Sequence, residues 1–203
     1  MDAPRGLDFR TLFVSAEATH CPMAGDVCAT ARWLASLGAK AGSVSVRYGN
    51  RVVLNAAPAP LAEVAQEDLV EIADYDAARN TMVLIGREEP GPPAPIHWLI
   101  HRWRPEVNAV VQVDLAPPAG PRDGTLSIAS ALPREPRAPE RPRLPPVVER
   151  SQAVLRGLRV APVTYDASFG FVAMGAIVEQ AKQRLAAALK DRGASNGHGH
   201  PKN

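Results

Sequence analysis

Cysteine is scarce in this chain, with two among 203 residues. Cys21 and Cys28 stand too far apart in sequence for the short spacing of zinc-binding cysteine pairs. Reduced thiols and a cytoplasmic setting are expected. Long apolar runs are also missing. None approaches the roughly 18 residues that a membrane-spanning helix needs, so no membrane partner is expected. The opening MDAPRGLDFR lacks the charged-then-apolar order of a signal peptide, and none is expected there. Excess charge is small: the net value of +2, with arginines interleaved among acids, gives no basis for a nucleic-acid partner or an anionic surface. What is present is a hydrophobic fraction of 46% and a charged fraction of 22%, the balance of a globular chain long enough for one domain with its own core.

The most informative stretch runs from Pro95 to Asp114 and reads PIHWLIHRWRPEVNAVVQVD. Ile96, Leu99, Ile100 and Trp103 have the spacing of a buried helix, and Arg104-Pro105 ends it by removing a backbone donor. The β-branched run 107–113 then predicts a buried strand whose end carries Gln112 and Asp114. Upstream, residues 1–23 form a lead-in of weak periodicity, in which Leu12, Phe13 and Val14 are candidates to pack on the body. A helix is expected over 25–37, with Asp26 near its start and Gly38 at its cap. Alternation over 41–48 predicts a strand with one face in the core, and Gly49-Asn50 turns it into an antiparallel partner over 51–55. Further strands are expected over 69–73 and 81–85, followed by a loop stiffened by Pro90, Pro92, Pro93 and Pro95.

Residues 115–146 change character. Closely spaced prolines bar helix and central strand alike, leaving strand character only over 125–129. The segment reads as an extended connection or as an arm for docking a partner. Beyond it a helix is expected over 147–157, strands over 158–163 and 169–174, and a last helix over 176–192 with Val178, Ala181, Leu185 and Leu189 on one face. The glycine-rich tail 193–203 carries His198 and His200, a frayed end or an adventitious metal ligand. The domain proper is taken as 24–192.

In its order of segments the chain resembles the class II aldolase/adducin family, which includes fuculose-phosphate aldolase. The likeness rests on Ala41-Gly42-Ser43-Val44-Ser45-Val46-Arg47, on Leu61 to Ile72 with Glu67-Asp68-Leu69-Val70, on His97 to Val111 ending Arg104-Pro105-Glu106-Val107-Asn108-Ala109-Val110-Val111, and on Phe169 to Ala181. It implies an α/β (α+β-like), three-layer domain with a central, mostly antiparallel sheet flanked by helices. It also implies a homo-oligomer, since family members commonly place sites between subunits.

Carried over residue by residue, the family's functional positions mostly hold other groups here. The two zinc-ligand histidines at the strand's end correspond to Gln112 and Asp114, and the third ligand to Phe169 before Gly170. The acidic residue that serves as acid/base corresponds to Pro93, with Gly91 and Pro92 at the phosphate-holding serines. Ser43 stands at the phosphate-facing asparagine, and Asn55-Ala56-Ala57-Pro58 at the threonine/glycine loop. Gln112 is a poor zinc ligand, Phe169 is none, and proline has no proton to transfer. No metal and no cofactor are therefore expected.

Candidate catalytic residues that remain are Asp114, His97, Tyr165 and Asp166; candidate ligand contacts are Ser43, Ser45, Arg47, Gln112 and Ser168. His97 and His101 share one helix face at the spacing of a zincin pair, but Trp98 stands where the general-base glutamate belongs, and packed histidines explain the spacing equally. Asp114 is either a general base or the start of a turn. Two function classes follow. One is a small-ligand-binding or accessory protein, as the adducin branch of the family works without the metal site. The other is a metal-independent lyase or isomerase acting on a sugar-phosphate-like or pterin-like metabolite.

Overall fold

Among the described residues, the apolar runs between the glycine and proline turns assemble into one eight-stranded sheet. The computed structural model describes residues 9–115 and 145–195, with side chains as far as Lys190. Its strands are β1 (Arg10–Ser15), β2 (Gly42–Tyr48), β3 (Arg51–Asn55), β4 (Leu69–Asp76), β5 (Thr81–Ile85), β6 (Ala109–Val113), β7 (Val163–Asp166) and β8 (Gly170–Gly175). They lie in the order β1-β5-β4-β3-β2-β6-β8-β7. Every neighbouring pair is antiparallel except β1 beside β5. The helices described are α1 (Ala24–Ser36), α2 (Ala94–Trp103), α3 (Pro146–Val160) and α4 (Val178–Ser195).

Because side chains alternate across a pleated strand, each strand feeds two cores. On one face Val52, Leu54, Ile72, Val110 and Val172 pack under Ile96 and Ile100 of α2 and Val154 and Leu158 of α3. On the other, Val44, Val46, Val53, Val111 and Phe171 meet Val27, Ala31 and Leu34 of α1 and Ala181 and Leu185 of α4. The result is the three-layer α/β domain with a mostly antiparallel central sheet that the resemblance implies.

Several elements differ from the sequence reading. The lead-in contains β1, an edge strand hydrogen-bonded in parallel to β5, and its Leu12 and Val14 are more than half exposed rather than packed on the body. The strand expected over 158–163 is helical as far as Val160, because Leu158 completes a buried stripe with Val147, Ser151 and Val154; Pro162 then stops the helix, and β7 begins at Val163. The strand expected from residue 107 starts at Ala109, and the third strand continues to Asp76. β2 is buried on both faces, not one, since it lies between β3 and β6 with helices above and below. The expected strand over 125–129, the rest of the proline-rich connection as far as residue 144, and His198 and His200 lie outside the described residues.

Candidate functional site

β2 shows why a strand reading Ser-Val-Ser-Val-Arg is stable at the centre of the sheet. Its valines enter the α1 side, so Ser43, Ser45 and Arg47 face α2, where polar partners must be found. Ser45 Oγ lies 2.7 Å from His97 Nδ1 and 2.9 Å from His101 Nε2. The helical spacing of the two histidines brings both rings down onto that one hydroxyl. His101 Nδ1 is 3.2 Å from the Val107 carbonyl. Burial is almost complete at both rings, and it holds them neutral. It pushes His97 down to about 3, helped by His101, and His101 down to about 4, against the opposing pull of its bond to Val107.

Arg47 closes the far end of this layer. Its guanidinium donates to the carbonyls of His101, Arg104 (3.0 Å) and Val107 (3.0 Å), where α2 ends. The His101 carbonyl lies in the last turn of α2, where residue i+4 is Pro105 and has no N–H to offer, so the arginine caps the C-terminus and complements its dipole. Arg47 is thus bound to backbone oxygens rather than turned toward a ligand.

At the opposite end of the sheet's centre, Gln112 is 3% exposed and donates through Nε2 to the carbonyl of Phe169. The Phe169 ring is buried in the α2/α3 core. Gly170 follows at φ +71°, and a β-carbon there would lie 2.2 Å from the Val113 carbonyl, so only glycine lets β8 approach β6 this closely. Asp114 is exposed, its backbone N–H donating to the Ala41 carbonyl at 3.1 Å. Asn55 ties the neighbouring strand ends, accepting from Val44 N–H at 2.7 Å and donating to the Gly42 carbonyl at 3.2 Å. Pro93 precedes the first turn of α2, its carbonyl accepting from the amides of Ile96 and His97.

The remaining candidates lie elsewhere. Tyr165 packs edge-on against Phe171, ring centroids 5.1 Å apart, on the α4 side of the sheet, opposite His97. Asp166 turns the chain between β7 and β8 by accepting from Ser168 N–H at 2.8 Å. Ser168 Oγ accepts from Arg150 of α3 at 2.9 Å. Asp114, His97, Tyr165 and Asp166 therefore do not converge on one point, whereas Ser43, Ser45, His97 and Gln112 share one layer.

The sequence pattern of the class II aldolase and adducin N-terminal domain matches residues 25–199. The chain belongs to the class II aldolase/adducin family. Solved structures of similar fold include an aldolase II superfamily protein from Pseudomonas syringae (20% identity, 87% of this chain and 76% of that one, TM-score 0.62). An L-fuculose 1-phosphate aldolase from Glaciozyma antarctica is also similar (17%, 89% and 76%, TM-score 0.60). So is a sugar-phosphate aldolase from Thermotoga maritima (18%, 88% and 97%, TM-score 0.57). No curated protein matches the chain.

Family membership raises the question of zinc, and the donors present do not fit it. A zinc site needs three nitrogen, sulfur or carboxylate ligands. Gln112 offers an amide whose nitrogen is already hydrogen-bonded, Asp114 a single carboxylate, and Phe169 nothing. Among the described residues no three histidine, cysteine or acidic side chains cluster so as to hold a metal.

Sequence reasoning missed two roles, the shared grip of Ser45 on both histidines and the capping by Arg47. The signal for the first was present in the four-residue spacing of His97 and His101 opposite an alternating serine strand. Nothing local announced the second.

Proposed function

We propose that this class II aldolase-fold protein works without the family's metal-dependent lyase chemistry, as an accessory or scaffold protein that binds a small metabolite or a protein partner. The bond from Gln112 to the Phe169 carbonyl carries this reading. Of the three positions where the resemblance places metal ligands, Gln112 has its side chain tied to backbone and Phe169 is packed into the core, which leaves the exposed Asp114 alone. A metal-stabilised oxyanion would otherwise supply several kcal/mol to carbon–carbon cleavage. With proline at residue 93 no side chain there can relay a proton.

Self-association belongs to the same reading. β1 lies at the sheet's edge with Leu12, Phe13 and Val14 exposed, the kind of edge that pairs with another copy. A partner surface is offered by the groove between Trp103 and α3, lined by Gln152, Leu155, Arg156 and Arg159. The Arg159 guanidinium lies 4.7 Å over the Trp103 ring.

A second reading, a metal-independent lyase or isomerase acting on a sugar-phosphate-like or pterin-like metabolite, draws support from the exposed Asp114 carboxylate at the strand's end. A thermal-shift screen of sugar phosphates, pterins and nucleotides separates the two. Stabilisation that disappears in Asp114→Ala, accompanied by turnover, would favour the enzyme. A response confined to a protein partner, or to a ligand that is not consumed, supports the accessory role.

A further inference from the structure

We propose that Ser43, His97 and Gln112 together hold one buried water molecule between the sheet and α2, as a fixed part of the fold. This goes beyond the functional reading above and does not depend on it. Ser43 Oγ, His97 Nε2 and Gln112 Oε1 are all buried and have no hydrogen-bond partner among the described residues. Buried polar atoms are nearly always paired, with water where protein groups do not reach.

Ser43 and Gln112 lie on the sheet face that α2 covers, and His97 comes down onto that face from α2. Ser43 and Gln112 are register partners across β2 and β6, which sets their β-carbons roughly 5 Å apart. Ser45, which holds His97, is the next residue on that face, about 7 Å along the strand.

Hydrogen-bond logic then fixes what each atom needs. The Val107 carbonyl can only accept, so His101 Nδ1 carries the proton. His101 Nε2 is therefore a lone pair, and the Ser45 hydroxyl donates to it. Ser45 Oγ must then accept from His97, whose proton sits on Nδ1. That leaves His97 Nε2 as an acceptor. Gln112 uses its amide nitrogen on the Phe169 carbonyl, so its free Oε1 is an acceptor too. Ser43 supplies a hydroxyl hydrogen. Two acceptors and one donor are the complement of a water molecule that donates twice and accepts once. The ligand class is thus a small neutral molecule with two polar hydrogens and a lone pair.

Two measurements on the full chain test this. Nitrogen-15 spectra of the histidines at neutral pH should show His97 protonated at Nδ1 and unprotonated at Nε2. In Ser45→Ala the His97 signals should shift toward the Nε2-protonated form common in free histidine. A crystal structure resolving solvent should show one ordered water about 2.8 Å from all three atoms. An Nε2-protonated His97 in the unmodified protein would overturn the proposal. So would direct contact among the three side chains, or a metal ion in place of the water. The crystal structure of the unmodified protein decides the question even if the variant fails to fold.

Discussion

Gln112 on β6 and Phe169, just before β8, are joined by a bond from side-chain amide to backbone carbonyl, within the buried layer beneath α2. Gln112 is read at a metal-ligand position by resemblance, and here it latches two neighbouring strands. Truncating it to alanine leaves the Phe169 carbonyl unsatisfied and opens a small void. Gln112→Ala is expected to lose about 1–3 kcal/mol of stability, read from the midpoint of urea unfolding. No loss would show that the latch contributes nothing.

His97 and His101 give the fold a specific acid sensitivity. In the unfolded chain both protonate near pH 6.5, whereas in the fold they stay neutral down to about 3 and about 4. The unfolded chain therefore binds more protons as the pH falls below about 6.5, and stability is lost progressively on acidification and regained above it. At pH 5 the loss should be about 2 kcal/mol per histidine. A paired His97→Gln, His101→Gln variant should show a flatter stability–pH curve. An unchanged acid limb would contradict burial as its cause.

Arg47 holds the carbonyls of His101, Arg104 and Val107, in the last turn of α2 and in the chain that follows it. Arg47→Ala should cost about 2–4 kcal/mol, and Arg47→Lys should recover only part of it, because an ammonium lacks the planar fork. Unfolding curves that place the lysine variant level with the wild type would contradict the capping role.

Gly170 sits at φ +71° with the Val113 carbonyl in the space of a β-carbon. Gly170→Ala is expected to destabilise by about 2 kcal/mol or more and to broaden amide signals along β6 and β8. Gly25, which has nothing within 4 Å of a built β-carbon, is the control, and its alanine variant should be neutral or slightly stabilising.

How much of this was legible in the sequence varies by element. Hairpin β2–β3 could be read from Gly49-Asn50 between alternating runs, and α2 from its apolar spacing and Pro105, because those signals are local. β1 could not, because its partner β5 lies far along the chain and an edge strand needs no strong apolar pattern. Leu158-Arg159-Val160 alternates like a strand, and only the buried stripe begun at Val147 shows that it continues α3. The serines of β2 read as a wet face for the same reason: period two reports alternation, not what covers each side. The histidine pair was visible as a spacing. That it meets Ser45 is a fact of packing between residues distant in sequence.

The central claim, that the fold persists without the family's metal chemistry, is tested most directly by metal content. Protein purified without a histidine tag and equilibrated with zinc, then dialysed, should retain far less than one zinc per chain and should not cleave a ketose phosphate. One zinc per chain, removed by EDTA together with such cleavage and restored on adding it back, would contradict the account.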